Sequence, residues 1–388
     1  MNKYIYQEFK RVLIKKKIPL IIMLIFIIGY GIVTANNTQD YKEKLISDTN
    51  KLNNLKATQQ DIKASEKKKE SLAKNIKDIE ESISRTKGIL NEIDNYDKAK
   101  LDKEISKLEK ENNPENEYKI NRLKYYRKYN VEKYNIEPKA TYTLIENTMW
   151  LSTLYMFIVI ILLSDIVSGE YHPNTIKNLI TKPISKTQII ISKFIVSTIL
   201  SLVTVVIGTL ILATIYGVCL GFSDYKSSFD VGGKYILDTS IPLTKLTSQM
   251  KYVQGSLKLI PLWIAVILLV LIIIVILISI TSIVIFISTI SKNSLISILI
   301  NIVFIGGGIL CVYFFKFMGD YIFIDKYGTI LKFLPIPYIP SAIEILTGDI
   351  SVRFNHSISI FLVLMVSLIW TVSMLFSSIY IFRKRNFD

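Results

Sequence analysis

Side chains that usually carry chemistry are scarce in this chain. Its two histidines, His172 and His356, fall in different predicted loops, and its two cysteines, Cys219 and Cys311, fall in different apolar runs. Such counts supply neither a metal-ligand set nor a disulfide framework. There is no G-x-x-x-x-G-K-[ST] phosphate loop. The nearest fragment, Gly232-Gly233-Lys234, lacks the upstream glycine and runs into Tyr235. A G-x-S-x-G nucleophile elbow is also missing. Ionisable residues are nearly absent from the long apolar runs, which argues against the buried proton or sodium relay of an ion-coupled carrier. Asp165, at the edge of the second run, reads as a solvated helix end.

What the chain does have is hydrocarbon. Half of its 388 residues are hydrophobic and its mean hydropathy is +0.37, more than a soluble surface of this size tolerates. The apolar residues gather into runs able to cross a core of roughly 30 Å, which takes about 20 helical residues. Six are predicted: Ile18 to Ala35, Met149 to Ser164, Ile189 to Gly221, Ile260 to Ile290, Leu295 to Phe315 and Ile358 to Phe382. Residues 141–148 are expected to extend the second. The third is too long for one upright helix and implies tilt, a projecting end or a bend near Gly208. The fifth contains the flexible triplet Gly306, Gly307, Gly308.

Positive charge orients the spans, because flanks rich in lysine and arginine stay in the cytoplasm. Lys3, Lys10, Arg11, Lys15, Lys16 and Lys17 precede the first run against a single Glu8, and Arg383, Lys384 and Arg385 follow the last. Both termini are therefore expected in the cytoplasm, as an even number of spans requires. Residues 168–188 and 291–294 face the same side, while 36–148, 222–259 and 316–357 face outward. The net charge of +15 does not point to nucleic acid. Residues 36–147 hold 24 basic and 21 acidic side chains, so most of the excess lies in the membrane portion and its inner flanks, next to anionic lipid. A cleaved signal peptide is the competing reading of the first run, but the run is long for a signal core and has no small-x-small exit. Residues 1–17 place Ile5, Phe9, Val12 and Leu13 at helical spacing, as in an amphipathic helix lying at the inner interface.

The segment 36–148 is charged, with aliphatic residues at steps of three, four and seven: Leu45, Leu52, Leu55 and Ile62; then Leu72, Ile76, Ile79 and Ile83; then Leu101, Ile105 and Leu108. That spacing predicts a coiled-coil seam. Gly88 and the stretch Asn91 to Asp97 are expected to break it into an antiparallel hairpin, with a restart at Asn113 and Pro114. A charged, disordered loop is the alternative, since such composition also occurs in chains that do not fold.

Two polar segments between runs have more pattern than a connector needs. Residues 168–194 read SGEYHPNTIKNLITKPISKTQIIISKF. Within them Thr175 to Thr181 sets Ile176, Leu179 and Ile180 on one helical face and Lys177 and Asn178 on another. An ordinary interfacial loop obeying the charge rule is the plainer reading. Residues 334–348, LPIPYIPSAIEILTG, interrupt any continuous helix at Pro335, Pro337 and Pro340. Ser341 and Glu344 then form an S-x-x-E capping box, with Gly348 as the stop. An apolar helix packed between spans would have the same sequence.

The first of these segments resembles the first cytoplasmic loop of permease subunits of type-2 ABC transporters. In that family a glutamate follows the second span, then a short docking helix, then Pro-x-Ser-[Arg/Lys], then a lysine early in the third span. The positions here are Glu170, Thr175, Ile176, Leu179, Pro183, Ser185, Lys186 and Lys193. Pro173 and Asn174 depart from the glycine common before the threonine, which touches the cap of the docking helix. The resemblance extends to the amphipathic first helix, the six spans, the minimal inner turn at 291–294 and the short outer helices at 334–348. It implies an all-α polytopic fold without an ATPase site of its own. Separate ABC ATPase chains would bind ATP and Mg2+, and the permease would pair with itself or a paralogue within a bacterial plasma membrane. The short outer helices, with Pro335, Pro337, Pro340, Ser341 and Glu344, would close the outer end of the path. The expected activity is export of a hydrophobic or amphipathic substrate such as a peptide, antibiotic or lipid. The coiled-coil insertion lies outside the minimal family body and is where an external protein or peptide would bind. The other reading is a non-transporting surface protein of the phage-infection or type VII secretion accessory type, whose outer domains are generally much longer.

Overall fold

A computed structural model describes residues 2–38, 41–61, 66–94, 98–111, 116–131, 139–171, 184–244, 247–318 and 321–385. The chain divides into two compact units. The first comprises residues 1–31, 144–215 and 229–388, the second 32–143 and 216–228.

The first unit contains a bundle of long apolar helices. Helix α1 (Asn2–Lys15) precedes α2 (Lys17–Asn37), whose uniform hydrophobicity suits a first span. The buried face of α1 carries Tyr4, Glu8 and Val12, whereas Leu13 is exposed. Glu8 turns inward to meet buried cations, and its i±4 neighbours Tyr4 and Val12 share that face.

The second span is the most buried of the six. It is α8 (Thr148–Leu163), preceded in the chain by the short α7 (Ala140–Glu146) and continuing through a 3-10 turn at Ser168–Glu170. The third, α9 (Lys186–Leu220), is a single helix of 35 residues. Gly208 does not break it. A Cβ there would lie 2.7 Å from the ring of Tyr155, so the glycine admits an aromatic side chain of the second span. Helix α10 (Leu262–Ile290) packs along the last span, α16 (Ile360–Lys384), and against α8. The fifth span joins α11 (Ser294–Asn301) to α12 (Gly307–Met318) through a π turn at Ile302–Gly306. The glycine triplet therefore closes a wide helical turn within a continuous span rather than a break.

Four short strands that no sequence pattern announced lie in the loop before α10. Strand β1 (Ser228–Val231) pairs with β4 (Lys258–Pro261), and β2 (Tyr235–Leu237) pairs antiparallel with β3 (Met250–Tyr252), Ile236 opposite Lys251. Before α16 stand α13 (Tyr321–Leu331), a 3-10 helix at Ile336–Ser341, α14 (Ala342–Thr347) and α15 (Ile350–Phe354). The pair Ile324–Leu331 and Ile336–Thr347 is apolar and bent by 109°, the geometry of a broken span or re-entrant loop.

In the second unit α3 (Tyr41–Asp61) packs on α4 (Glu66–Asp94), and α5 (Lys98–Glu111) packs on α6 (Glu117–Tyr129). Lys56 meets Glu80 at 2.7 Å and Ser82 donates to Asp48 at 2.9 Å, so the first pair is antiparallel. Two helical pairs thus stand where one hairpin is expected. Helix α4 runs through Gly88. A glycine in a helix interior costs about 1 kcal/mol relative to alanine, less than ending a long packed helix would cost. Leu101, Ile105 and Leu108 bury against Leu123 and Ile120. Asn113, Pro114 and Ile62 lie outside the described residues.

Candidate functional site

The loop between the second and third spans begins and ends in buried charge. Lys193, about two turns into α9, directs its ammonium inward with 1% of its side chain exposed. It donates to Glu8 Oε1 at 2.9 Å, to the carbonyl of Ile166 at 2.7 Å and to Glu170 Oε1 at 3.2 Å. Three acceptors match the three N–H donors of an ammonium. Arg11 bridges the same two acids, meeting Glu8 at 2.6 Å and also Glu170. The cluster thus holds two cations and two anions with no net charge. Such a group persists in low dielectric only while every member is paired.

The surroundings respond to this field. Burial alone would lower the Arg11 guanidinium, but its hydrogen bonds and charge contacts with Glu170 and Glu8 outweigh burial and hold it above its ordinary value. The Tyr4 phenol is pushed up by burial first, with the Glu8 charge adding to it. A second link lies one helical turn earlier, where Asp165 receives Lys16 at 2.5 Å and Lys15 at 3.9 Å. Asp165 is therefore a mostly buried partner of the first helix and not a solvated helix end.

The end of the second span is fixed from the other side by serines. Ser288 Oγ accepts from the backbone N–H groups of Val167 and Ser168, both at 3.1 Å. Ser297 donates to the carbonyl of Ser164. These bonds satisfy backbone groups that a helix terminus leaves open.

Beyond the loop, Ser185 has a local function. Its Oγ accepts from Gln188 N at 3.2 Å, while Gln188 Oε1 accepts from Ser185 N at 3.1 Å. This reciprocal pair is a capping box that starts α9. Lys186 turns to the chain after the last span, donating to the carbonyls of Arg383 and Arg385 at 3.2 and 2.9 Å. The structure thus brings Glu170 and Lys193 together and places Ser185 and Lys186 at the other margin of the loop. Thr175, Ile176, Leu179 and Pro183, with Pro173 and Asn174, lie outside the described residues.

At 334–348 the expected capping box does not form. Ser341 Oγ donates back to the carbonyl of Pro337 at 3.1 Å and makes no cap bond, because the side chain is turned back over the 3-10 helix and away from the first turn of α14. Glu344 instead pairs with Arg353 of α15. Pro335 stands just before the 3-10 helix and Pro337 and Pro340 stand within it. Gly348 ends α14 with φ of 95° and its N–H on the carbonyl of Glu344, as expected of a left-handed stop. Gly232 and Gly233 donate their N–H groups to the carbonyls of Leu346 and Thr347 at 2.9 and 2.8 Å. The glycine pair that fails as a phosphate loop serves as a close backbone contact.

Sequence reading missed Glu8 and Arg11 of the cluster, and at the start of the loop Tyr171, whose hydroxyl accepts from Arg385 Nη1 at 2.7 Å. Glu8 had a signal, as the one acid in a basic N-terminal stretch. The other three look like ordinary interfacial residues until the fold brings them together.

Residues 5–387 match the family described as ABC-2 family transporter protein. No curated protein matches the chain at a significant level. The matched range runs from α1 to the residues after the last span, and the six apolar helices agree with it. The chain belongs to the ABC-2 transporter family, as a multi-pass membrane permease subunit of an ABC transporter.

Proposed function

We propose that this permease couples ATP hydrolysis, carried out by separate ABC ATPase chains holding ATP and Mg2+, to export of a hydrophobic or amphipathic substrate across a bacterial plasma membrane. Both termini and the loop 168–188 face the cytoplasm in this reading. The observation that carries it is the buried set of Glu8, Arg11, Glu170 and Lys193. It ties α1 and the second and third spans into one body at the base of the loop. A force applied to residues 175–181 by a partner ATPase would reach both spans without being lost in flexible side chains. Ile176 and Leu179 supply the apolar contact with the ATPase, and Thr175 and Pro183 bound the docking helix.

The permease pairs with a second copy or a paralogue, with membrane lipid around it. The bent segment with Pro335, Pro337, Pro340, Ser341 and Glu344 closes the outer end of the path. The helical pairs of residues 41–129 offer a surface for an external protein or peptide.

The test is the double substitution Ile176→Asp and Leu179→Asp in a chain co-expressed with a partner ABC ATPase that co-purifies with the wild type. The expected result is loss of ATPase co-purification with normal membrane insertion. Unchanged association and unchanged transport would overturn the docking assignment.

A further inference from the structure

Both margins of residues 172–183 are fastened to the same short segment after the last span. On one side Arg385 Nη1 donates to the hydroxyl of Tyr171 at 2.7 Å, and the guanidinium lies 4.9 Å from the centre of that ring. On the other side the Lys186 ammonium donates to the carbonyls of Arg383 and Arg385. Arg385 also reaches the end of α10, where Nη1 donates to the carbonyl of Thr289 at 2.7 Å and Nη2 to that of Ile290 at 3.0 Å. Those carbonyls belong to the last turn of α10, where no intrahelical donor follows. The chain turns extended at Ser291.

The geometry requires arginine. One planar guanidinium meets a phenol and two carbonyls at once while lying over the aromatic ring, whereas an ammonium is a compact point charge on a flexible stem. A cation at the C-terminal end of a helix is also favoured by the helix dipole.

We propose that Arg385 is a positioning residue of the coupling loop. It joins Tyr171 to the end of α10 and, through its own backbone, to α16, so that displacement of the loop moves the fourth and sixth spans as well as the second and third. The inference rests on the coupling function proposed above. It adds a link to α16 and a second link to α10, beside the bonds that Ser288 makes to Val167 and Ser168.

The experiment compares wild type, Tyr171→Phe and Arg385→Lys, each as the full permease co-purified with its ATPase in lipid nanodiscs. Amide hydrogen exchange is measured without nucleotide and after trapping with ATP and vanadate. Tyr171→Phe removes one oxygen and leaves the arginine free to cap α10, so a purely structural function of Arg385 would not be disturbed by it. Wild type is expected to change its exchange on trapping both in residues 168–188 and at the ends of α10 and α16. In the two variants the loop response persists, while the response at the ends of α10 and α16 falls by about threefold or more. An undiminished response there in both variants, or no response there in wild type, would overturn the positioning function alone. Failure of wild type to retain any ATPase would overturn the coupling function and this inference with it.

Discussion

Glu170 and Lys193 face each other at 3.2 Å across the base of a loop, and Glu8 from the first helix completes the pair at 2.9 Å. All three side chains are at most 5% exposed. A buried ion pair adds little net stability over a well-packed apolar equivalent, because desolvation offsets attraction. What it adds is a geometric requirement: each charge accepts only the arrangement that pairs it. Three separate segments are thereby held in one register.

Removing one member should therefore cost far more than the net contribution of the set. Lys193→Ala leaves Glu8 and Glu170 with Arg11 as their remaining charged partner in the cluster, and about 3–5 kcal/mol of destabilisation is expected. Lys193→Arg keeps the charge but needs more room and should fall between the two. The measurement is the thermal midpoint of the detergent-solubilised permease. A midpoint for Lys193→Ala equal to that of wild type would mean that the cluster is hydrated and unimportant for the fold.

Gly208 is expected to be intolerant of even one carbon. The added Cβ would meet two ring carbons and the phenolic oxygen of Tyr155 between 2.7 and 3.1 Å, and Tyr155 is buried with its hydroxyl 3.1 Å from Thr209. Gly208→Ala should cost about 1–3 kcal/mol through overpacking. Adding Tyr155→Leu should recover part of that loss, since the clash is with the ring. If the double variant is no better than the sum of the singles, the two residues are not in contact.

Gly232 and Gly348 separate backbone strain from steric conflict. Both have positive φ, 74° and 95°. An added Cβ meets nothing within 4 Å at Gly232 but lies 1.9 Å from the carbonyl oxygen of Gly233 at Gly348. Gly232→Ala should cost only the left-handed penalty of about 1–2 kcal/mol. Gly348→Ala adds a backbone collision and should also release the contact between residues 232–233 and α14. Hydrogen exchange of Gly232 and Gly233 reports this directly. Equal protection in the two variants would refute the distinction.

The large features were legible because they are local. The six spans are composition and length, and the stop at Gly348 is a glycine after a short periodic run. Glu170 and Lys193 were singled out by the resemblance of their loop to a family pattern, but their third partner was not, because the pairing of Glu8 with Lys193 spans 185 residues. The same holds for Arg385 and Tyr171. Strands of three or four residues carry too little alternation to stand out, so β1 to β4 stayed hidden. Gly88 misled for the opposite reason, since local propensity favours a break that packing against α3 overrides.

The helical pair α5 and α6 gives the remaining prediction. Ile105 is 3% exposed within a cluster of Leu101, Leu108 and Leu123, and ion pairs flank it: Lys119 with Glu104, Lys124 with Glu109 and Arg127 with Asp102. The ion pairs are exposed and contribute little each, so the small apolar cluster carries the pairing. Ile105→Ala should cost about 2–5 kcal/mol by leaving a cavity, whereas Arg127→Ala should cost under about 1 kcal/mol. The readout is exchange protection in α5 and α6. Residues 45–134 fall in a different compact unit from most of the span residues, so replacing Leu45 to Tyr134 with a short flexible linker should still give a monodisperse membrane protein. Loss of all inserted protein on that deletion would show that these helices are needed for the fold of the spans and are not an appended binding module.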